Sequence, residues 1–289
     1  MPGETRRVVF AQPEWLRVVP TDRRLPDGAR IVYTGCGTSF HAAQTGGWSV
    51  QALEAALSPP EADVLVCLSH EGGTPLTLEA ARAFRGEIWL VTGTAESPLA
   101  QIADEVVVCT PEIERSWCHT GSYTCAVAEL AAMRGADISG VPDAVEQALR
   151  TRVDPPRRDR IIVAGAGRDW PTAQEAVLKL REGAWLAAEA HHTEQLLHGY
   201  LAAVDESVQA FVLEGEGRAA ERAHDAVAAL ERLGCETTLV ASTDPVVDIV
   251  YFQLLTLAAA DARGIDPDPI RRAPGSPWAD AAGSAYPSV

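Results

Sequence analysis

"RIVYTGCGTSFHAAQ", residues 30–44, and "RIIVAGAGRDWPTAQEAVLKL", residues 160–180, are two versions of one pattern. Each runs from a short β-branched apolar stretch through a Gly-x-Gly turn into an Ala-containing helical stretch. Small residues at such a turn let the backbone approach a ligand closely. The helix start that follows offers unpaired N–H groups and a partial positive charge. The loop suits an anion or a polyol, and it equally suits a plain tight turn. Its repetition decides the fold: a strand–turn–helix unit has been duplicated within the chain.

Outward from these stretches the alternation continues. "DVLVCLS" (63–69), "EIWLVTG" (87–93) and "EVVVCT" (105–110) follow the first; "VQAFVLEG" (208–215) and "ETTLVAS" (236–242) follow the second. These runs are short and nearly continuously apolar, as parallel strands covered on both faces are. Helical patterns occupy roughly 39–57, 74–85, 120–134, 216–233 and 246–263, with a short one at 97–104. "LRTRVDPPRRDR" (149–160) changes character: Pro155-Pro156 stops a helix and charge density rises, which reads as a linker. The expected architecture is α/β, with two doubly wound parallel-sheet, flavodoxin-like subdomains in tandem. The first covers 1–150 with an N-terminal lead-in, and the second 151–289 with a C-terminal tail. Ligands of such sheets sit at the carboxyl ends of the strands, here 35–41, 69–77, 93–98, 110–122 and 165–172.

Composition narrows the function. The 289 residues are 47% hydrophobic and 22% charged, with a net charge of −16. That balance excludes a nucleic-acid surface, which needs clustered Lys and Arg. The basic runs are short: Arg6-Arg7, Arg23-Arg24, "PPRRDR" at 155–160 and Arg271-Arg272. The N-terminus "MPGETRRVVFAQPEW" has no apolar signal-peptide region, and no run of about eighteen apolar residues predicts a membrane span. Six cysteines without CxxC or paired His spacing read as free thiols of a reducing, cytoplasmic compartment.

Six ordered segments resemble a known family. They are "VVFAQPEWLRVV" (8–19), "GCGTSFHAA" (35–43), "CLSHEGGTPLTLEA" (67–80), "PEIERSWCHTGSYT" (111–124), "EAVLKLREGAWLAAEAHHTEQLLHGYLA" (175–202) and "LAAADARGIDPDPIRR" (257–272). Together they resemble the double sugar-isomerase (SIS) domain module of glucosamine-6-phosphate synthase and its relatives: ketose/aldose isomerases, deglycases and amino-sugar-phosphate deaminases. The resemblance implies that Cys36, Gly37, Thr38 and Ser39 hold one side of a sugar or sugar phosphate. Ser69, His70, Glu71, Gly72 and Thr74 then close over the other side, with Trp117 and His119 on a loop near the sugar. It further implies Glu182 as the base, Lys179 as its neighbouring lysine and His198 as the ring-opening histidine. A homodimer without a cofactor follows from the same likeness.

The residues themselves fit that chemistry. Aldose/ketose interconversion moves a proton between adjacent carbons through an enediol, which needs a base reaching both carbons and an acid/base group for the ring. Glu182 lies three residues after Lys179, so both side chains share a helix face. The same spacing describes an ordinary surface ion pair worth about 0.3–0.5 kcal/mol. His198 precedes Gly199, where a helix end presents an imidazole able to titrate around neutral pH. His191, His192, Glu194 and His198 also suggest a metal, but adjacent histidines on a helix point about 100° apart, so no metal site is expected. Glu175, four residues before Lys179, pairs with it, and Trp170 and Trp185 read as packing.

Three positions depart from the family pattern. Glu71 stands where a second Ser of the phosphate loop belongs, and a carboxylate about 4 Å from a phosphate costs several kcal/mol at a dielectric near 20. Gly121 replaces a Lys, and the tail "APGSPWADAAGSAYPSV" contains no lysine. Residues 44–63 are short for the family, so a strand or helix of the first subdomain is expected to be missing. Position 2 is Pro where a glutaminase domain would carry its nucleophilic Cys, so glutamine-dependent amination is not expected. The leading reading is an isomerase, deaminase or deglycase of a sugar or amino sugar. The second is a catalytically idle sugar-binding or regulatory protein. The third, a nucleotide-binding α/β protein, lacks GxGxxG and Walker A spacing.

Overall fold

The computed structural model describes residues 3–285. It divides into two compact units: residues up to Asp143 together with those from Asp266, and Ala144–Ile265. The expected boundary at 150/151 lies in coil, and the tail groups with the first unit.

The first unit opens with helix α1 (Glu4–Leu16), where the sequence predicts only a lead-in. Pro13 lies inside it and has no N–H to give the carbonyl of Val9. The Gln12 side chain supplies the missing donor, its Nε2 lying 2.8 Å from that oxygen. The Gln-Pro pair therefore lets the helix continue through a proline. Strand β1 (Ile31–Thr34) leads through Gly35–Gly37 into α2 (Thr38–Gly46) and α3 (Ala52–Leu57). One helix was expected over 39–57. It is broken because Gly46-Gly47 ends α2 and residues 48–50 pair with β1: Tyr33 N–H donates to Trp48 O, and Val50 N–H donates to Tyr33 O.

Then come β2 (Val64–Leu68), α4 (Pro75–Ala83), β3 (Glu87–Thr92), β4 (Glu105–Val108) and α5 (Gly121–Met133). The short helix expected at 97–104 is a series of turns. The sheet is wholly parallel in the order β1-β2-β3-β4. The reversal that makes such a sheet doubly wound is reduced here to the single bridge between Tyr33 and Ser49. Val32, Leu65, Cys67, Ala81, Phe84, Leu90 and Leu99 form its core.

Helix α6 (Val141–Ala148) and coil lead to the second unit. Its elements are β5 (Arg160–Gly165), α7 (Trp170–Ala184), β6 (Ala187–His192), α8 (Thr193–Leu197), β7 (Val208–Leu213), α9 (Arg218–Arg232), β8 (Glu236–Val240) and α10 (Pro245–Arg263). The order β6-β5-β7-β8, all parallel, reverses at β5. Strand β6 occupies a stretch whose composition favours helix. Trp185 takes a left-handed conformation (φ 55°) that ends α7, and pairing with β5 overrides the helix propensity of Ala and Glu. α10 is long and apolar enough to cross a membrane, but it packs on α7 with most of its side chains buried. The tail carries α11 (Pro277–Ala285). All six cysteines are free, and five are buried.

Candidate active site

In the first unit, the parallel strands deliver their loops to one edge. After β1, Gly37 (φ 56°) starts α2, bringing Thr38 and Ser39 onto its first turn. The Cys36 Sγ lies 3.8 Å from Thr77 Oγ1 of α4, and burial pushes its thiol pKa up while the Thr77 contact opposes the shift. After β2, buried Ser69 sits with its Oγ 3.2 Å from Thr74 Oγ1. This loop is pinned rather than open. Gly93 N–H and Thr92 Oγ1 donate to His70 O, and Leu99 N–H donates to Gly72 O. Gly72 takes φ 63°, and a Cβ there would run into the Ser97 side chain, so both conformation and space require glycine. Glu71 is exposed and makes no hydrogen bond or ion pair among the described residues.

His70 acts as a strut. Its Nε2 accepts the N–H of Glu114 at 2.8 Å. Burial, then the neighbouring His119, lowers its pKa to about 4, with Glu114 opposing, so it is neutral at pH 7. Glu114, which sequence reasoning missed, is the buried centre of the β4–α5 loop. Its Oε1 accepts Thr120 N–H (2.8 Å) and Thr120 Oγ1 (2.9 Å), and its Oε2 accepts Ser122 N–H (2.9 Å), which places the carboxylate at the N-terminus of α5. Burial would raise its pKa, but the nearby His119 ring and the hydrogen bond from Ser122 outweigh that and hold it at about 2. The available signal was an acid a few residues ahead of a Thr-Gly-Ser helix start.

Two further expected positions have local explanations. Trp117 is half exposed, but the Arg272 guanidinium covers its ring at 4.8 Å, and its N–H donates to Asp268 O. Gly121 lies beneath α1: a Cβ there would approach Val8 Cγ1 to 2.5 Å and the Trp15 ring to 2.9 Å. A lysine has no room while α1 is seated.

In the second unit, one face of α7 carries Glu175, Lys179 and Glu182 at successive turns. The Lys179 Nζ lies 2.7 Å from Glu182 Oε2 and 3.4 Å from Glu175 Oε1. The Lys179 and Glu175 side chains are 1% exposed, whereas that of Glu182 is 21% exposed. An ammonium taken out of water costs several kcal/mol unless compensated, and two carboxylates compensate it here. Lys179 thereby orients Glu182, the one member of the cluster that solvent reaches.

His198 lies at the end of α8, 74% exposed, with Nε2 3.5 Å from Glu194 Oε1. Arg222 holds the other oxygen of Glu194 at 2.7 Å. His191 and His192 lie on β6, not on a helix, and successive strand residues face opposite ways. His192 stacks on Trp170 at 3.8 Å, and His191 packs against Tyr200. No cluster suited to a metal occurs among the described residues.

The SIS-domain family model matches residues 157–245. That stretch of the second unit is similar to SIS domains. The chain is 26% identical over 300 residues to glutamine–fructose-6-phosphate aminotransferase [isomerizing] of Pyrobaculum aerophilum, covering 83% of this chain and 50% of that one. The chain spans about half the length of the curated relatives it matches. Its fold matches that of glucosamine-6-phosphate deaminase from Thermotoga maritima (TM-score 0.77, 19% identity, 95% of this chain and 98% of that one). It also matches tagatose-6-phosphate ketose/aldose isomerase from Escherichia coli (TM-score 0.73, 18% identity, 92% and 95%). Both parallel sheets belong to the α/β fold shared with these structures.

Proposed function

We propose that the protein moves hydrogen between adjacent carbons of an opened sugar or amino sugar, phosphorylated or not, as an isomerase, deaminase or deglycase. Glu182 is the base, Lys179 positions it, and His198 exchanges a proton with the ring oxygen. The loops Cys36–Ser39 and Ser69–Thr74 bind the sugar, with Trp117 and His119 beside them. The observation that carries this reading is the buried Lys179 holding a partly accessible Glu182 at 2.7 Å. A solvated helix pair would need no such burial. The neighbours, a deaminase and a ketose/aldose isomerase by fold, support the same class of chemistry. A homodimer in the cytoplasm belongs to the same proposal, and sedimentation velocity tests the dimer.

A second reading, an idle sugar-binding protein, draws support from the exposed Glu71 and from Gly121 packed under α1. One experiment separates the two. The protein is incubated in deuterated water with fructose 6-phosphate, glucosamine 6-phosphate and their unphosphorylated forms. Deuterium entering C1 or C2, and absent with Glu182→Gln, supports the enzyme. Binding without exchange supports the idle protein.

A further inference from the structure

We propose that His119 is a proton-transfer residue at the strand-end loops of the first unit, held by Glu114 and acting at the carbonyl oxygen of the opened sugar. This rests on the reading above that the protein interconverts neighbouring carbons of a sugar.

Position is the first support. His119 lies in the β4–α5 connection, and its ring meets that of His70 edge-on at 5.2 Å. His70 follows β2, and its carbonyl accepts hydrogen bonds from Thr92 and Gly93 at the end of β3. The His119 imidazole therefore stands where the loops of three strands meet, at the sheet edge where α/β proteins bind ligands.

Polarity is the second. The Nδ1 lies 3.3 Å from Ser122 Oγ and 3.8 Å from Glu114 Oε2. Glu114 is fully buried, and the N–H and hydroxyl groups of Thr120 and the N–H of Ser122 fix its carboxylate in place. One ring nitrogen thus faces the fixed carboxylate and the Ser122 hydroxyl, contacts that orient the ring. Nε2 has no hydrogen-bond partner among the described residues, and the side chain is 25% exposed. It is the nitrogen left to exchange a proton with a ligand. The other imidazole here, His70, already spends its Nε2 on Glu114 N–H.

The step balances without a co-reactant. As the base takes the proton from the carbon beside the carbonyl, the C–H electron pair becomes the enediol C=C bond. The C=O π pair moves to oxygen, which takes the Nε2 proton of the His119 imidazolium. In the second half, the neutral imidazole recovers a proton from the neighbouring hydroxyl as that C–O becomes C=O. The base returns its proton to the former carbonyl carbon.

The test follows deuterium exchange and anomer interconversion together by NMR, with fructose 6-phosphate, glucosamine 6-phosphate and their unphosphorylated forms as probes. His119→Ala is expected to lose about 100-fold of carbon exchange, to keep sugar binding and anomer interconversion, and to regain exchange as free imidazole is added. Glu114→Gln is expected to shift the pH profile of exchange. Exchange by His119→Ala within about threefold of wild type, while Glu182→Gln abolishes it, overturns this proposal and leaves the parent reading standing. Lost sugar binding without imidazole rescue also overturns it, since His119 then only binds. Wild-type protein that exchanges with none of the four sugars removes the parent reading and this one with it. If His119→Ala does not fold by circular dichroism, His119→Gln is read by the same exchange criterion.

Discussion

Lys179 Nζ lies 2.7 Å from Glu182 Oε2, on a helix face where the lysine is all but sealed from water. Its other neighbour, Glu175, is equally buried at 3.4 Å. Removing the ammonium would strip buried Glu175 of the cation that stands 3.4 Å from it. Lys179→Met is therefore expected to lower stability by about 3–5 kcal/mol and to reduce hydrogen exchange, because Glu182 loses its anchor. Adding Glu175→Gln to Lys179→Met should recover much of the stability but not the exchange. Urea unfolding gives the first quantity, and deuterium exchange the second. A Lys179→Met protein as stable as wild type would show that the cluster is solvated in solution.

Two buried carboxylates of the first unit should give the protein opposite responses to pH. Glu129 on α5 is fully buried, and neither oxygen has a hydrogen-bond partner. Burial, helped by the charge of Asp22 and opposed by Arg24, raises its pKa from 4.5 to about 7. A raised folded pKa means that the protonated acid is favoured by folding. Its contribution is complete below the ordinary value of 4.5 and is lost as pH rises through about 7. Glu114, held at about 2, contributes above 4.5 and loses that contribution as pH falls through about 2. Each shift corresponds to roughly 3 kcal/mol. Glu129→Gln should be more stable than wild type at high pH and similar at low pH, while Glu114→Gln should be less stable at neutral pH. Urea midpoints on both sides of neutrality read the difference. Parallel curves for Glu129→Gln and wild type would remove Glu129 from the account.

Asp268 ties the tail to the chain's first helix. Its Oδ2 accepts Glu4 N–H at 2.7 Å, and its Oδ1 accepts Thr5 N–H at 2.7 Å and Thr5 Oγ1 at 2.6 Å. Gly3 offers no side chain, so an acid from far along the sequence caps α1 and complements its dipole. Asp268→Ala should cost about 1–2 kcal/mol, and Asp268→Asn less, seen as a lower denaturation midpoint at unchanged slope. No change in midpoint would mean that the cap is formed by water instead.

The duplicated strand–turn–helix units were legible because a buried parallel strand needs a continuous apolar run, and "VLVCL" and "VQAFVL" have little else they can become. β6 was hidden for the opposite reason: "AAEAHH" is helix-prone by composition, and only pairing with β5 makes it a strand. The break between α2 and α3 was written as Gly46-Gly47, but the bridge from Ser49 to Tyr33 is a long-range contact that no local pattern encodes. At the site, Lys179 and Glu182 were readable from helical spacing. The cap that Glu114 places on α5 was not, since it depends on a loop folding back on the helix it precedes.

Glu71 is the position where sequence and fold most sharply constrain the ligand. Its neighbours Ser69 and Thr74 place hydroxyls 3.2 Å apart in a loop pinned by Gly93 and Leu99, and Glu71 adds an exposed negative charge to that loop. At about 4 Å from a phosphate the repulsion would be near 4 kcal/mol at a dielectric of 20, and solvent screening at an exposed side chain reduces it. Glu71→Ser is accordingly expected to tighten binding of fructose 6-phosphate and glucosamine 6-phosphate by about tenfold. The unphosphorylated sugars should bind as before, and added salt should narrow the gap for wild type. Calorimetry with the four sugars reads all of this. Unchanged or weaker phosphosugar affinity in Glu71→Ser would place its carboxylate away from the bound group.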